Sequence, residues 1–413
     1  MTALTTTFLI ALALMVAIRW WLASRQLAAV RAHRDRVPAA FTDAIALADH
    51  QRAADYTSAR LALGRVELVF DAALILAVTV GGGFAALDNA LARLPLGPLW
   101  HGVATLAALA LVMGALALPF GAYATFRIEA RFGFNRTTVA LYIVDLVRGV
   151  AIGLALGVPL LALLLWLMSA AGAAWWLYAW LSWVAFGLVV SFAWPRLIAP
   201  LFNRFRPLEA GALREAVERI MRRCGFTTDG VFVMDGSRRS SHGNAYFTGI
   251  GRYKRIVLFD TLVERLAPPE VEAVLAHELG HFRLHHIRQR LLLSFAAAFA
   301  GFAALGAAAG NPAVYAALGV PVPSMHAALA LFALVVPVFL FPLAPLGSWW
   351  SRRHEYEADR FAIAHSDGAA LAAALVKLYR DNASTLTPDP WYSAWHDSHP
   401  PASARIAAIE RGA

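Results

Sequence analysis

The segment EAVLAHELGHFRLHH, residues 272–286, contains the side chains with the clearest chemistry in this chain. His277 and His281 are four residues apart, so on a helix their imidazoles project from one face, a turn apart. This spacing allows two ring nitrogens to occupy neighbouring corners of a zinc tetrahedron. Glu278 follows the first histidine and could accept a proton from an attacking water molecule. The pattern therefore predicts a zinc site with its own general base.

The residues around this motif predict a helix and favour a metal-binding role for its polar residues. Pro268, Pro269 and Glu270 are typical of a helix start. Surface histidines on an amphipathic helix would show the same spacing by chance. The flanking residues are apolar, however, and packing gives no reason for a polar triad set into a hydrophobic helix. Metal binding does give a reason.

A catalytic zinc needs a third protein ligand and an open position. The segment SRRHEYEADRFAIAH, residues 351–365, offers three carboxylates. Glu355 and Asp359 are one turn apart and share a helix face, while Glu357 points elsewhere. We predict that Glu355 is the third ligand and that Asp359 accepts a hydrogen bond from the free N–H of a ligand histidine. A solvated, charged helix start is the alternative.

The composition identifies the kind of molecule that carries these residues. Of 413 residues, 59% are hydrophobic and 15% are charged, whereas soluble proteins are about a quarter charged. Cys224 is the only cysteine, which excludes a disulfide within the chain and a tetracysteine metal site. Seven stretches are apolar and long enough to span a bilayer, near 5–24, 66–88, 100–122, 148–169, 173–194, 290–310 and 326–346. The last two could instead form one re-entrant hairpin.

The arginines predict the orientation in the membrane. They concentrate in segments 25–65, 123–148, 195–289 and from Arg352 onward, and the intervening loops have almost none. The positive-inside rule then puts the N-terminus outside and the arginine-rich segments in the cytoplasm. The net charge of +9 is thus a topology signal, and we expect no nucleic-acid partner. The Ala/Arg-rich, Lys-poor composition suggests a bacterial inner membrane.

The soluble part is predicted to be mixed α and β. Residues 208–224 have helical periodicity, and VFVMD (231–235) and KRIVLFD (254–260) are apolar and β-branched like strands. SSHGNAYFTGIG (240–251) is expected to be a loop leading into an edge strand. The predicted division is as follows: 1–194, a membrane domain of five helices; 195–289, the catalytic domain; 290–347, membrane helices six and seven; and 348–413, a cytoplasmic segment that completes the zinc site.

Several further motifs carry a resemblance to a known family. HELGH with RRHEYEAD, GSRRSSHGNAYFTG, KRIVLFDTL, YSAWHDSHPPASARI, RIEARFGFNRTT and WPRLIAPLFNRFRPL resemble segments of the integral-membrane CAAX prenyl endopeptidases, which are zinc metalloproteases. The resemblance extends from about residue 60 to the end. It implies an α-helical polytopic membrane protein, with seven transmembrane helices around an intramembrane chamber and a small α+β zincin-like metalloprotease domain.

The resemblance also implies roles for single residues. His277, His281 and Glu355 would bind one Zn²⁺ per chain, and Glu278 would be the base. His399 and Arg405 would stabilise the oxyanion of the tetrahedral intermediate. Asn244 could polarise the scissile carbonyl, and His286 matches a histidine that supports the site. The strand that pairs with the substrate peptide would contain Asn244, Ala245 and Tyr246.

Three functions follow as alternatives. The first is a zinc endopeptidase that cuts prenylated CAAX-type substrates after the modified cysteine, acting as a monomer in contact with membrane lipid. The second is a membrane-protein quality-control metalloprotease of the heat-shock type, with broader substrates. The third is a transporter or scaffold with a vestigial site. An intact set of ligands with a base argues against the third.

Overall fold

The computed structural model describes residues 1–226, 228, 230–248 and 255–412. The first helices are α1 (Ala3–Ala32), α2 (Leu47–Val78), α3 (Gly83–Leu91), α4 (Pro98–Tyr123), α5 (Val139–Ala170), α6 (Trp175–Ala193) and α7 (Ala199–Phe202). The next segment contains β1 (Phe205–Pro207), α8 (Ala212–Arg223), β2 (Val231–Met234), β3 (Ala245–Thr248), β4 (Arg255–Phe259), α9 (Asp260–Val263) and α10 (Pro268–Arg283). The last segment contains α11 (His286–Ala309), α12 (Pro312–Ala317), α13 (Met325–Leu340), α14 (Ala344–His365), α15 (Gly368–Asp381), α16 (Pro390–His396) and α17 (Ala402–Glu410).

Long apolar helices form the membrane part. Within the described residues, six helical runs are long and apolar enough to cross a bilayer, and the bent pair α2–α3 makes a seventh. This agrees with the seven spans predicted. The last two predicted spans are the separate runs His286–Ala309 and Met325–His365, which favours two crossings over one re-entrant hairpin. Only 6% to 33% of the residues in the apolar window of each of the six runs are buried, so most of these residues are left uncovered by the protein and can face lipid.

The second span, predicted near 66–88, is a bent pair of helices. Helix α2 begins at Leu47, and α3 follows it at an angle of 56°. The bend occurs in a glycine-rich segment. A Cβ on Gly81 would lie 2.7 Å from the carbonyl oxygen of Ala77, and Gly82 has a left-handed φ of 77°. Only glycine accepts both conditions without strain, so this sequence ends one helix and starts the next.

The soluble part is built on a four-stranded sheet in the described residues, with the order β1–β2–β4–β3. Strands β2 and β4 are parallel, and β3 is antiparallel to β4, with Ala245 opposite Leu258. Both predicted apolar strands are present, and β3 lies at the edge as expected. Residues 249–251 of the predicted loop-and-strand segment, and Lys254, lie outside the described residues.

Two helices cross closely behind this sheet. Helix α10 is buried along most of its length, and α14 packs across it. At the crossing, a Cβ on Gly280 would lie 3.1 Å from the Cα of Ala358 and 3.2 Å from its carbonyl oxygen. The glycine of HELGH therefore allows the two backbones to approach closely. Because α14 continues the membrane run that begins at Met325, this contact joins the soluble part to the last span.

Candidate active site

The crossing of α10 and α14 brings together the three predicted zinc ligands. His277 Nε2 lies 3.2 Å from His281 Nε2 and 3.4 Å from a Glu355 carboxylate oxygen. His281 Nε2 lies 3.3 Å from the other Glu355 oxygen. Ligands bound at about 2.0–2.1 Å in a tetrahedron are about 3.3 Å apart. These two imidazoles and one carboxylate thus have the spacing of metal ligands.

The chemistry of Glu355 also fits a metal ion. The side chain is almost completely buried, and its Oε2 atom has no hydrogen-bond partner. A buried carboxylate oxygen without a hydrogen bond is costly unless a positive charge compensates it. A divalent ion between the three ligand atoms would supply that charge, so the residues present fit the metal that the sequence predicts.

His277 is held from behind by a carboxylate and an arginine. Its Nδ1 atom lies 2.8 Å from Asp359 Oδ1, as predicted for an acceptor of the free N–H. Arg405 donates to Asp359 through Nε at 2.7 Å and through Nη2 at 2.8 Å. Arg405 is only 5% exposed, and its Nη1 lies 3.6 Å from Glu355. A bidentate guanidinium–carboxylate pair of this kind orients His277 and adds positive charge beside the ligands.

His281 is held by a longer chain of contacts. Its Nδ1 lies 3.0 Å from Nδ1 of His286, and Nε2 of His286 lies 3.0 Å from Glu357. Glu357 in turn accepts a hydrogen bond from Arg353 Nε at 2.9 Å. His286 is 1% exposed and stacks on the ring of His354 at 3.9 Å between centroids. His281 is thus oriented by the imidazole of His286, which is itself held by the carboxylate of Glu357.

The turn between α10 and α11 makes that second chain possible. His285 has a left-handed φ of 62° and an exposed side chain, which separates α10 from α11, and the next residue, His286, is buried. Sequence reasoning placed Glu357 away from the ligands and gave it no role. Helical spacing gives no signal for the contact between Glu357 and His286, because that contact depends on the turn at His285.

Glu278 lies beside the ligands at the junction of two cavities. The cavities have volumes of about 470 Å³ and 250 Å³, and Glu278, His277 and His399 line both. Burial raises the pKa of the Glu278 carboxyl, while the neighbouring imidazoles of His277 and His281 act in the opposite direction. A carboxylate whose proton affinity is increased by burial is suited to accept and return a proton.

His399 reaches the ligands from the segment that follows α16. Its Nε2 lies 3.5 Å from Glu355 Oε2, and 59% of its side chain is exposed. It therefore faces the open space above the ligand group, whereas Arg405 lies beneath it. The two residues predicted for the oxyanion approach Glu355 from different sides.

The edge strand borders the same cavities. Asn244 is exposed and its side-chain oxygen accepts from the backbone N–H of Ala245 at 2.8 Å. Asn244 and Ala245 line the larger cavity, and Tyr246 lines the smaller one. The predicted substrate strand thus runs past both cavities with its free edge available.

Two further residues of the larger cavity were not predicted from the sequence. Tyr379 and Asn382, at the end of α15, line it opposite β3. The Asn382 side-chain oxygen accepts from the backbone N–H of Gly243 at 3.2 Å and lies 3.1 Å from His242 Nδ1. Their place in the cavity depends on how α15 packs, for which the residues YRDN give no signal.

A separate histidine–carboxylate group lies far from this site. Asp88 on α3, His101 on α4 and His326 on α13 have potential ligand atoms within 4.8 Å of one another. His101 Nε2 lies 2.7 Å, and His326 Nε2 2.9 Å, from the same Asp88 oxygen. Thr105 donates to that oxygen at 3.1 Å. These are hydrogen-bond distances, and the group joins three helices.

Comparisons with known proteins identify the family to which the chain is similar. Residues 26–204 match the family model described as CAAX prenyl protease N-terminal, five membrane helices, and residues 207–413 match that of peptidase family M48. The CAAX prenyl protease 1 homolog of Oryza sativa subsp. japonica is 37% identical over 71% of this chain and 69% of its own length. CAAX prenyl protease 1 of Saccharomyces cerevisiae is 36% identical over 71% of this chain and 68% of its own length.

A solved structure extends the likeness to the whole fold. The crystal structure of S. mikatae Ste24p aligns with a TM-score of 0.91 at 28% identity, over 99% of both chains. The resemblance stated from the sequence motifs, and the predicted polytopic fold with a protease domain, are confirmed. The M48 match implies a metal ion, typically zinc. The chain belongs to peptidase family M48, among the CAAX prenyl proteases, and is a multi-pass membrane metalloendopeptidase.

Proposed function

We propose that this enzyme cleaves prenylated C-terminal Cys-a-a-X segments after the modified cysteine, with one zinc ion per chain held by His277, His281 and Glu355. The observation that carries the proposal is the metal-ligand spacing of these three side chains, 3.2–3.4 Å, beside the half-buried Glu278 and the edge strand β3. The names of the relatives, which are CAAX prenyl proteases, support the substrate class.

Neighbouring side chains hold the two histidine ligands in the orientation that metal binding needs. Zinc, when bound, supplies a Lewis acid that polarises the scissile carbonyl and makes water more acidic. Asp359, with Arg405, holds His277 in the tautomer whose Nε2 is free to bind a metal. His286, with Glu357, does the same for His281. Both imidazoles are therefore oriented before a substrate arrives.

Glu278 carries the proton during hydrolysis. Its carboxylate accepts a proton from the attacking water and then donates it to the leaving amine. The position of Glu278 between the two cavities supports both steps, since it borders the space on each side of the bond to be cut.

Other residues hold the substrate and the developing charge. The extended peptide pairs with the backbone of β3, and the Asn244 side chain contacts the scissile carbonyl. His399 donates to the oxyanion from the open side. Both Nε and Nη2 of Arg405 are bound by Asp359, so Arg405 acts chiefly through its charge.

The placement in the membrane is also part of the proposal. The arginine distribution favours an N-terminus outside and a catalytic centre on the cytoplasmic side, in a bacterial inner membrane. The domain division at residues 194, 289 and 347 and the monomeric state are proposed on the sequence grounds given above. No nucleic-acid partner is proposed.

The decisive experiment compares peptides in proteoliposomes. The purified, zinc-loaded enzyme is given a farnesylated Cys-a-a-X peptide, its unprenylated twin and an unrelated loop peptide, and the products are identified by mass spectrometry. We expect cleavage of the farnesylated peptide after its cysteine, and none with Glu278→Gln. Equal cleavage of the loop peptide would instead favour the quality-control protease. Unchanged cleavage by Glu278→Gln would disprove the mechanism.

A further inference from the structure

A second polar cavity lies beside the catalytic one. It has a volume of about 450 Å³ and lies between the helices α1 and α2 and the segment 382–397. Three arginines line it: Arg19 on α1, and Arg60 and Arg65 on α2. We call it the basic cavity. From the sequence, Arg60 and Arg65 were interpreted only as determinants of topology and Arg19 was given no role, and the mechanism above uses none of the three.

The three guanidinium groups have no carboxylate partner among the described residues. Arg65 donates to Ser24 Oγ at 2.8 Å and lies over the ring of Trp20, but its buried Nε atom has no hydrogen-bond partner. Arg19 and Arg60 are exposed and Arg65 is half-buried, so solvent reaches all three. With no carboxylate paired to them, they give the cavity a positive charge that suits an anion.

The two acidic groups of this cavity offset only part of its positive charge. Glu67 and Asp397 also line it, but neither forms an ion pair with the arginines within the described chain. Burial raises the pKa of the Asp397 carboxyl, which weakens it as a partner for a cation. The positive charge of the cavity thus remains available to a ligand.

The basic cavity is close to the reacting centre. Asn382 and Ser384 line both the basic cavity and the catalytic cavity. Asp397 lines the basic cavity, and His399, two residues later, lines the catalytic one. Consecutive Cα atoms are about 3.8 Å apart, so these two residues are at most about 7–8 Å apart.

The direction of β3 shows which part of a substrate would enter. Strand β3 pairs antiparallel with β4, and a peptide that continues this antiparallel pattern on the free edge runs opposite to β3. Its C-terminus then points from Tyr246 toward Asn244 and Gly243, where Asn382 forms the wall shared with the basic cavity. Three extended residues span about 10 Å, which is more than the largest possible separation of Asp397 and His399, the residues that line the two cavities.

We propose that the basic cavity binds the C-terminal carboxylate of the substrate, with Arg60 and Arg65 as its main partners and Arg19 adding charge. This inference rests on the proposed function. Guanidinium groups suit carboxylates because they donate in a matching planar geometry. Binding of the chain end at a fixed distance from the metal would select the bond three residues from the terminus. The cavity would thus set where the substrate is cut.

The test compares two farnesylated peptides that differ only at the chain end, one a free acid and the other an amide. We expect the wild type to cleave the acid with a kcat/KM about tenfold higher, the size expected for one or two charge-assisted hydrogen bonds. The double variant Arg60→Gln, Arg65→Gln should cleave the acid as slowly as the amide and leave the amide unaffected. Arg31→Gln, an exposed arginine on α1, is the matched control and should leave both rates unchanged.

Two results would overturn the proposal. One is equal cleavage of acid and amide by the wild type. The other is an equal loss for both peptides in the double variant, which would assign the arginines to the fold or to lipid. Cleavage of the amide reports on the proposed function separately.

A binding measurement keeps the inference testable even if neither peptide is cut. The Glu278→Gln protein is titrated with both peptides in detergent. About tenfold tighter binding of the acid, lost in the added double substitution, supports the carboxylate site. Equal affinities reject it.

Discussion

Two histidine–carboxylate groups occupy distant parts of this molecule and differ in how closely their atoms approach. His326 of the Asp88 group and Glu355 of the metal group lie on one continuous helical run, about 40 Å of helix apart at 1.5 Å per residue. In the group of His277, His281 and Glu355, which we call the metal group after its proposed role, the potential ligand atoms are 3.2–3.4 Å apart, a spacing that suits a bound ion. In the Asp88 group both imidazoles lie 2.7–2.9 Å from one oxygen, the spacing of hydrogen bonds.

The surroundings of the two groups explain this difference. Each imidazole of the metal group is fixed through its Nδ1 atom, so its Nε2 is directed toward the other potential ligand atoms. In the Asp88 group the Nε2 atoms contact the carboxylate itself, and Thr105 adds a third contact to the same oxygen. The same residue types therefore have the spacing of metal ligands in one place and that of an interhelical hydrogen-bond cluster in the other. Residue types alone do not distinguish a metal site from a hydrogen-bond cluster. The distinction lies in which nitrogen of each imidazole is already held by a neighbouring side chain.

Removing one imidazole from each group should show the largest difference between the two groups. We expect His281→Ala to lose the bound zinc and at least about 10³-fold in activity, because two ligands do not retain a catalytic metal. His326→Ala is the matched control, with one zinc per chain and cleavage within about threefold of wild type. Metal analysis and peptide cleavage measure both. A drop in zinc content in His326→Ala would show that the Asp88 group also binds metal.

Replacing the base should separate metal binding from chemistry. We expect Glu278→Gln to keep its zinc and to lose about 10²–10⁴-fold in kcat, since the amide cannot accept the proton. Zinc content by elemental analysis and single-turnover cleavage provide the readout. Loss of the metal in this variant would place Glu278 among the ligands instead.

The two supporting carboxylates should differ in strength. Asp359→Asn should weaken zinc binding by about 10–100-fold, because Asp359 contacts the ligand His277 directly. Glu357→Gln should weaken it less, because it acts through His286. Chelator competition measures both affinities. An effect of Glu357→Gln as large as that of Asp359→Asn would contradict this ranking.

The Asp88 group should affect stability alone. We expect Asp88→Asn to lower the free energy of unfolding by about 1–3 kcal/mol, because three donors lose a charged acceptor. Thermal unfolding in detergent measures the shift, and zinc content and cleavage should stay at the wild-type level. An unchanged melting temperature would show that these contacts do not hold the three helices together.

The sequence alone predicts the local parts of this architecture well. The ligand spacing on α10, the shared face of Glu355 and Asp359, the edge strand β3 and the number of spans all follow from periodicity, which is a short-range property. The same reasoning cannot predict contacts that depend on tertiary packing. The bend at Gly81, the link from His286 to Glu357 and the position of Asp88 between two histidines are of that kind. Arg60 and Arg65 show a third case, because a topology signal and a cavity lining are indistinguishable in a sequence.

The glycine contact between α10 and α14 bears on how this enzyme tolerates its surroundings. Bilayers of different thickness change the tilt of a long helix. A tilt of about 5° would displace the end of a 40 Å helical run by about 3 Å, while metal–ligand distances tolerate only about 0.2 Å. Because Gly280 lets the backbones of α10 and α14 touch, the helix with both imidazoles moves together with the helix that bears the carboxylate. The coordination geometry can therefore stay constant while the membrane around it changes thickness.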